Sequence, residues 1–367
     1  MTSAVYEDDS EAPSTAPRKS VYERWKESEG IPTVRGYFIK DLAELELTPW
    51  ASRGGAGTFI NLEGTGGLND SYVCEIAPTE RLAPVRHMYD EMIFVLRGRG
   101  ATEVWLDGGQ KQVFEWSERA FFAIPPNAWH QHFNLSSDQP VRYFAVTSAP
   151  VVMDTFKSLD FVFNNPYVFK ERFNGEEGYF NQAARGSSRR WKTNFVADVL
   201  ASSERLSDSS AERGGGARNV RFDLVNGTER SHTSVWPVGT YKKAHRHGPG
   251  VHIVILDGQG YSLFWQEGAP MERIEFGPRS ILVPPENWFH QHFNTGASPV
   301  LFLAIGSGRE RPKASGESYV YTSTEEGGDQ IEYEIEDPEI HAGFEAALAK
   351  AGVKCEMASE HPFCTAK

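Results

Sequence analysis

The pentapeptide His-Gln-His-Phe-Asn occurs twice in this chain, at 130–134 and at 290–294. Upstream of the second copy stands His245-Arg246-His247. Residues i and i+2 of a β-strand face the same way, so His245 and His247 point together to one side. His290 comes from a later strand, after a turn announced by Pro285. Three imidazoles converging inside a small barrel make a facial metal site with open positions for a substrate or O2, and imidazole suits Fe, Zn, Cu and Ni. Upstream of the first copy stand His87 and Glu91. With His130 they supply two imidazoles and one carboxylate, a set that can form a facial triad for non-haem Fe(II). The plainer alternative for this set is a core histidine paired with Glu91. His132 and His292 lie on the same strand face as His130 and His290. They either support a ligand or touch substrate, or they are hydrogen-bonded histidines of a barrel rim.

The elements that must position these residues follow from a repeat. Sliding the chain by 160 residues aligns 95–134 with 255–294 without a gap, and 14 of the 40 positions are identical. The same offset puts Ser71 on Ser231 and His87 on His247. A period this long is two copies of one domain rather than a solenoid. Within each copy, runs rich in β-branched and aromatic residues alternate with Gly and Pro. They are Glu91–Leu96 and His252–Leu256, Thr102–Leu106 and Ser262–Trp265, Ala120–Ile124 and Ser280–Val283, and Arg142–Val146 and Leu301–Ile305. Such runs indicate an all-β fold with two tandem barrels.

The chain then divides into a disordered tail over 1–20, an N-terminal barrel with its lead-in over 21–150 and a connection over 151–218. A C-terminal barrel over 219–310 and an extension over 311–367 complete it. The first part of the connection, FKSLDFVFNNPYVFKERF, is aromatic enough to pack against the barrels, whereas SSERLSDSSAERGGGA reads as a mobile loop. In the extension, Pro338 to about Val353 reads as a short helix, with Pro338 in its first turn and Gly352 at its end.

Composition narrows the function. The formal net charge is −13, which disfavours phosphate backbones and anionic lipid surfaces as partners, so neither nucleic acid nor membrane is expected. The first 20 residues carry four acidic groups and no apolar core, against a secretory signal and a mitochondrial presequence. Cys74, Cys355 and Cys364 have no CxxC spacing, so neither a disulfide framework nor a cysteine zinc site is expected. A cytoplasmic protein is the simplest reading.

Gly239-x5-His245-x-His247 followed by Gly258, and Pro285-x-Asn287-x-x-His290-x-x-x-Asn294, resemble the two sequence motifs of the cupin family. The resemblance covers roughly 58–150 and 220–306 and implies a bicupin, two cupin jelly-roll barrels in one chain. It implies metal ligation by His245, His247 and His290. It also implies a Glu after the second His, but the Gly258 spacing puts Val251 in that slot. His252 is then either a fourth imidazole or a residue of the outer face. Arg279 and Asn287 stand in the two Gly slots of the second motif. In the first copy Val85 replaces the first His and Thr79 the upstream Gly, while His87, Glu91 and His130 remain.

The pattern is similar to gentisate 1,2-dioxygenase-like bicupins, which implies Fe(II), O2 and a small, hydroxylated aromatic or dicarbonyl acid, with Mn, Zn, Ni or Cu as alternative metals. In those proteins the metal copy is usually N-terminal, whereas here the better motif is C-terminal. On this reading His292 is a proton shuttle. The family also implies a homo-oligomer. Oxalate-decarboxylase-like bicupins usually keep three His and one Glu in both copies, which neither copy here does. The other readings are a non-oxidative Mn or Zn decarboxylase or isomerase, and a non-catalytic binding scaffold.

Overall fold

The apolar runs between Gly and Pro fold as strands. The computed structural model describes residues 19–182, 185–187, 190–201, 207–208, 214–216, 218–307 and 322–365. In its first half, strand Val141–Thr147 lies between Asp70–Ile76 and Glu91–Arg97, and Glu91–Arg97 continues to Phe121–Ile124, all antiparallel. In its second half, Val300–Ser307 lies between Glu229–Trp236 and His252–Asp257, and His252–Asp257 continues to Ile281–Leu282. A smaller antiparallel sheet completes each unit. It is built from Trp129–Asn134, Arg99–Trp105 and Gln112–Ser117 in the first, and from Phe289–Asn294, Gly260–Trp265 and Glu272–Phe276 in the second. The chain is therefore all-β, with two tandem jelly-roll barrels and a short C-terminal helix.

That helix runs Pro338–Ala351. The Asp337 side chain accepts from the Glu339 N–H at its start, and Gly352 ends it with φ 70°, a left-handed conformation that glycine adopts without strain. The aromatic-rich connection forms two helices, Ala149–Phe156 and Leu159–Asn164. Met153 and Val162 bury against Tyr22 and Tyr89. Residues 1–18 of the expected tail, and most of SSERLSDSSAERGGGA, lie outside the described residues. Among the described residues no helix is long and apolar enough to cross a membrane.

Each barrel lends a strand to the other. Phe38–Ile39, ahead of the N-terminal barrel, pairs with Ile281–Leu282 of the C-terminal one. Phe195–Val196, ahead of the C-terminal barrel, pairs with Phe121–Phe122 of the N-terminal one. Both exchanges are latched alike. The Arg279 guanidinium lies 2.6 Å from the Asp41 carboxylate, and the Leu42 N–H donates to the Arg279 carbonyl at 3.0 Å. The Arg119 guanidinium lies 2.9 Å from Asp198, and the Val199 N–H donates to the Arg119 carbonyl at 3.1 Å. Arg119 and Arg279 take φ 69° and 67°, the region usually left to glycine. An arginine in this glycine slot supplies a side chain that reaches the exchanged segment. Between the barrels lies one shared core, in which Val254, Leu303 and Ile305 join Phe94, Phe144 and Val146. Asn69 and Glu229, equivalent positions of the repeat, meet there through an amide donating to a carboxylate at 3.2 Å.

Candidate metal centres

In the C-terminal barrel, the short strand Ala244–His245 pairs with Phe289–Asn294, with His245 directly opposite His290. His247 follows two residues on. The three rings converge, with centroids 4.3 Å apart for His245 and His290, 4.8 Å for His247 and His290, and 5.7 Å for His245 and His247. One ligand nitrogen from each lies within 4.8 Å of the others. The Nδ1 atoms of His245 and His290 lie 3.0 and 3.2 Å from the carbonyls of Lys243 and Trp288. A carbonyl only accepts, so each Nδ1 carries the ring proton and donates it, which puts the ring's lone pair on Nε2. This is the donor chemistry a divalent metal needs, with ring orientations already fixed by the backbone. The turn before His290 holds although Asn287 replaces glycine, because Asn tolerates its φ of 64°.

His252 stands elsewhere. Its strand neighbours Ile253 and Ile255 pack with Trp236, Phe264 and Phe276 inside the barrel, whereas Val254 packs into the core between the barrels. Side chains two apart share a face. His252 therefore points with Val254 toward the N-terminal barrel, where its ring lies 5.9 Å from Phe144. Burial pushes its pKa down to about 4, so it is neutral. Of the two alternatives, the structure gives the outer-face one.

In the N-terminal barrel, Val85 bridges to His130 as His245 pairs with His290, so the first imidazole position is held by an apolar side chain. His87, Glu91 and His130 are all buried and converge. His87 donates from Nδ1 to the Tyr89 carbonyl at 2.9 Å and stacks on the Tyr89 ring at 3.8 Å. The Nε2 atoms of His87 and His130 face the same carboxylate oxygen of Glu91 at 3.3 and 3.5 Å. The His130 Nε2 is buried with no hydrogen bond. Burial alone would raise the Glu91 carboxyl, but the His87 contact, His130 and Arg53 outweigh it and hold it well below the usual carboxylate range. Burial, and then His87, drives His130 well below its ordinary value, so it is neutral. An ionised carboxylate and an imidazole lone pair that face each other call for a cation between them, a proton or a metal ion.

His132 and His292 are held alike. The Nδ1 of His132 lies 2.7 Å from Thr102 Oγ1, which also accepts from the Trp116 indole N–H at 2.8 Å. The Nδ1 of His292 lies 2.8 Å from Ser262 Oγ, and its ring stacks on Trp236 at 4.7 Å. His292 sits two residues along the strand from His290, on the same face, ring centroids 5.7 Å apart. Burial pushes His132 down to about 3. Asn134 and Asn294 donate their amides to turn carbonyls, among them Gln139 and Ser298.

The sequence reading passed over Tyr72, whose hydroxyl donates to Glu91, and Arg53, which lowers the Glu91 carboxyl. The repeat offers no signal for Tyr72, because its equivalent is His232. It also passed over Gln330, which pairs with His245 as part of the strand Gln330–Ile331 from the C-terminal extension. Arg246 holds that segment through an ion pair to Asp329 at 3.0 Å.

The family model of the cupin domain matches residues 72–147, most of the N-terminal barrel. No curated protein matches the chain. Among solved structures, the chain is similar to Lactobacillus farciminis oxalate decarboxylase in its formate complex. The identity is 11%, the TM-score is 0.48, and 84% of this chain and 92% of that one are covered. It is also similar to Bacillus subtilis oxalate decarboxylase, studied for its Mn(II) centres, at 13% identity and a TM-score of 0.47, over 82% of this chain and 86% of that one.

Proposed function

We propose that the chain is a metal-dependent bicupin enzyme whose C-terminal barrel holds Fe(II) on His245, His247 and His290 for oxygenase chemistry. The substrate class is a small hydroxylated aromatic or dicarbonyl acid. The observation that carries this reading is the all-imidazole donor set. Neutral donors leave the full charge of the cation to act on an anionic substrate, and three ligands leave about half of an octahedral shell open. When bound, such a metal supplies Lewis acidity to a coordinated phenol or enol and positions for substrate oxygens and O2. The chain's own residues do the rest. Carbonyls of Lys243 and Trp288 hold two ligand rings in register. Phe264, at 6.5 Å from the His290 ring, and Trp236 wall the interior against water. His292, which Ser262 and Trp236 orient, would carry a proton to or from substrate.

A second reading, non-oxidative decarboxylation or isomerisation with Mn or Zn, draws on the N-terminal set, where Glu91 adds a carboxylate oxygen that suits Mn. The test is an O2-uptake screen of the full chain, loaded anaerobically with Fe(II), against phenolic and dicarbonyl acids, with CO2 release followed in parallel. O2 uptake abolished by His245→Ala/His247→Ala supports the oxygenase. CO2 release without O2 uptake favours the second reading. Neither activity in protein that carries its metal leaves the barrels as a binding scaffold.

A further inference from the structure

Outside both barrels, at the C-terminus, four side chains with metal-ligand chemistry converge. His341 and Glu345 lie one turn apart on the helix Pro338–Ala351. Cys355 and Cys364 come from the segment that follows. One donor atom from each of the four lies within 4.8 Å of the others. The Cys355 and Cys364 sulfurs are 3.4 Å apart, the Cys364 sulfur is 3.7 Å from Glu345 Oε1, and His341 Nε2 is 3.4 Å from the same oxygen.

These are three of the six separations among the four donors, and the other three are within 4.8 Å. Zinc bond lengths at tetrahedral angles place two sulfurs about 3.8 Å apart, sulfur and oxygen about 3.5 Å, and nitrogen and oxygen about 3.3 Å. The tautomer of His341 is also the one a metal needs. The Tyr241 hydroxyl donates its single proton to Glu336 at 2.6 Å. The His341 Nδ1, 3.0 Å from that phenol oxygen, must then be the donor. The lone pair is left on Nε2, which is buried and makes no hydrogen bond, in a residue only 2% exposed. Glu345 is aimed by Thr365, whose N–H and O–H donate to its two oxygens at 2.9 and 2.7 Å. A disulfide between the two free cysteines would occupy both sulfurs and leave the buried His341 nitrogen facing only the Glu345 carboxylate.

We propose that His341, Glu345, Cys355 and Cys364 form a tetrahedral zinc site, distinct from the two barrel centres. Two thiolates, an imidazole and a carboxylate suit Zn, and four protein ligands close the coordination shell, as in structural rather than catalytic sites. The expected lack of a cysteine zinc site rested on CxxC spacing. Here the ligands meet through the packing of a helix against a following segment, with no short motif. The site clamps that segment to the back of the C-terminal barrel. There the Glu356 N–H donates to the Gly239 carbonyl at 2.9 Å, and Tyr241 bridges to Phe293, the neighbour of His292.

The test uses the full chain, stripped of metal by a chelator under reductant and titrated anaerobically with Co(II). Neither barrel set contains a cysteine, so a thiolate-to-cobalt charge-transfer band in the near ultraviolet reports this site alone. The band is expected to saturate by about three equivalents per chain, since the two barrel centres also take up cobalt, and to disappear in Cys355→Ser/Cys364→Ser. Thiol counting in unfolded protein purified without reductant supplies an independent readout. Absence of the band with all three thiols reactive overturns the site. So does a purified protein in which only Cys74 reacts and neither the band nor zinc returns after reduction. Should the double variant fail to fold, His341→Ala in wild-type thiol background is expected to shift or weaken the band. An unchanged band in that variant would count against the ligand set.

Discussion

The two barrels share a strand order and differ at two of four equivalent ligand positions. The N-terminal barrel reads Val85, His87, Glu91, His130, and the C-terminal one reads His245, His247, Val251, His290. Each lacks a donor at a different one of these four positions. One keeps an imidazole pair with a carboxylate, buried and supported by Tyr72. The other keeps three imidazoles, with His247 only half-buried. A carboxylate cancels one unit of a bound cation's charge in a dry interior, whereas three imidazoles cancel none. On the proposed reading, the two centres would suit different tasks: tight, enclosed binding in the first, and polarisation of an incoming anionic substrate in the second.

The largest expected effects come from removing a ligand. Glu91→Gln should lower metal affinity at the N-terminal centre by more than about 100-fold, beyond the range seen for outer partners, and leave the C-terminal centre intact. Equilibrium dialysis with metal analysis would read both, and loss at both centres would break the assignment of two independent sites. Val251→Glu sharpens the comparison by restoring the missing carboxylate. In metal-free protein it should cost about 1–3 kcal/mol, and saturating metal should recover the loss. A thermal melt with and without metal decides this, and a cost that metal does not change would place residue 251 outside the centre. Tyr72→Phe removes one donor to Glu91, and a fall of about 10–100-fold in N-terminal metal affinity is expected.

The smallest effect lies at the latches. Arg119→Ala or Arg279→Ala should each cost no more than about 1 kcal/mol, as expected for half-exposed pairs. For Asp41, burial would raise the carboxyl, but Arg279 and the Ala43 N–H outweigh it and hold it below its ordinary value. A carboxylate lowered on folding stabilises above its unfolded pKa, and this contribution is lost as pH falls through the folded value. The penalty of Arg279→Ala should accordingly be full near neutral pH and vanish in acid. Denaturant midpoints measured across pH would show a constant penalty if the pair contributed nothing.

Much of the barrel architecture was legible in the sequence, because it depends on local pattern. Apolar runs bounded by Gly and Pro announced the strands beside those of His130 and His290, the turn at Pro285 announced the strand of His290, and the repeat announced two copies. The face of His252 was also within reach, since a residue one step from the Val251 slot must point the other way. The exchanged strands were not legible. Phe38–Ile39 and Phe195–Val196 are two residues long, too short for any period, and their partners lie far along the chain. The cluster of His341, Glu345, Cys355 and Cys364 was missed for a related reason. Its spacing follows the packing of a helix against an irregular segment, which no local pattern encodes. Arg279 looked like a defect in a turn motif, and only the position of Asp41 shows what its side chain does.

The most direct test of the central claim, that the barrels bind metal through different ligand sets, is element-resolved metal analysis of the full chain. The protein should be purified without added metal or chelator, beside His245→Ala/His247→Ala and His87→Ala/His130→Ala. On this account, beside the zinc proposed for the C-terminal cluster, which both variants should keep, each double variant should lose about one metal equivalent and retain that of the other barrel, with iron lost in the first. Identical metal content in all three proteins, or no metal in the wild type even after anaerobic reconstitution with Fe(II), would contradict it.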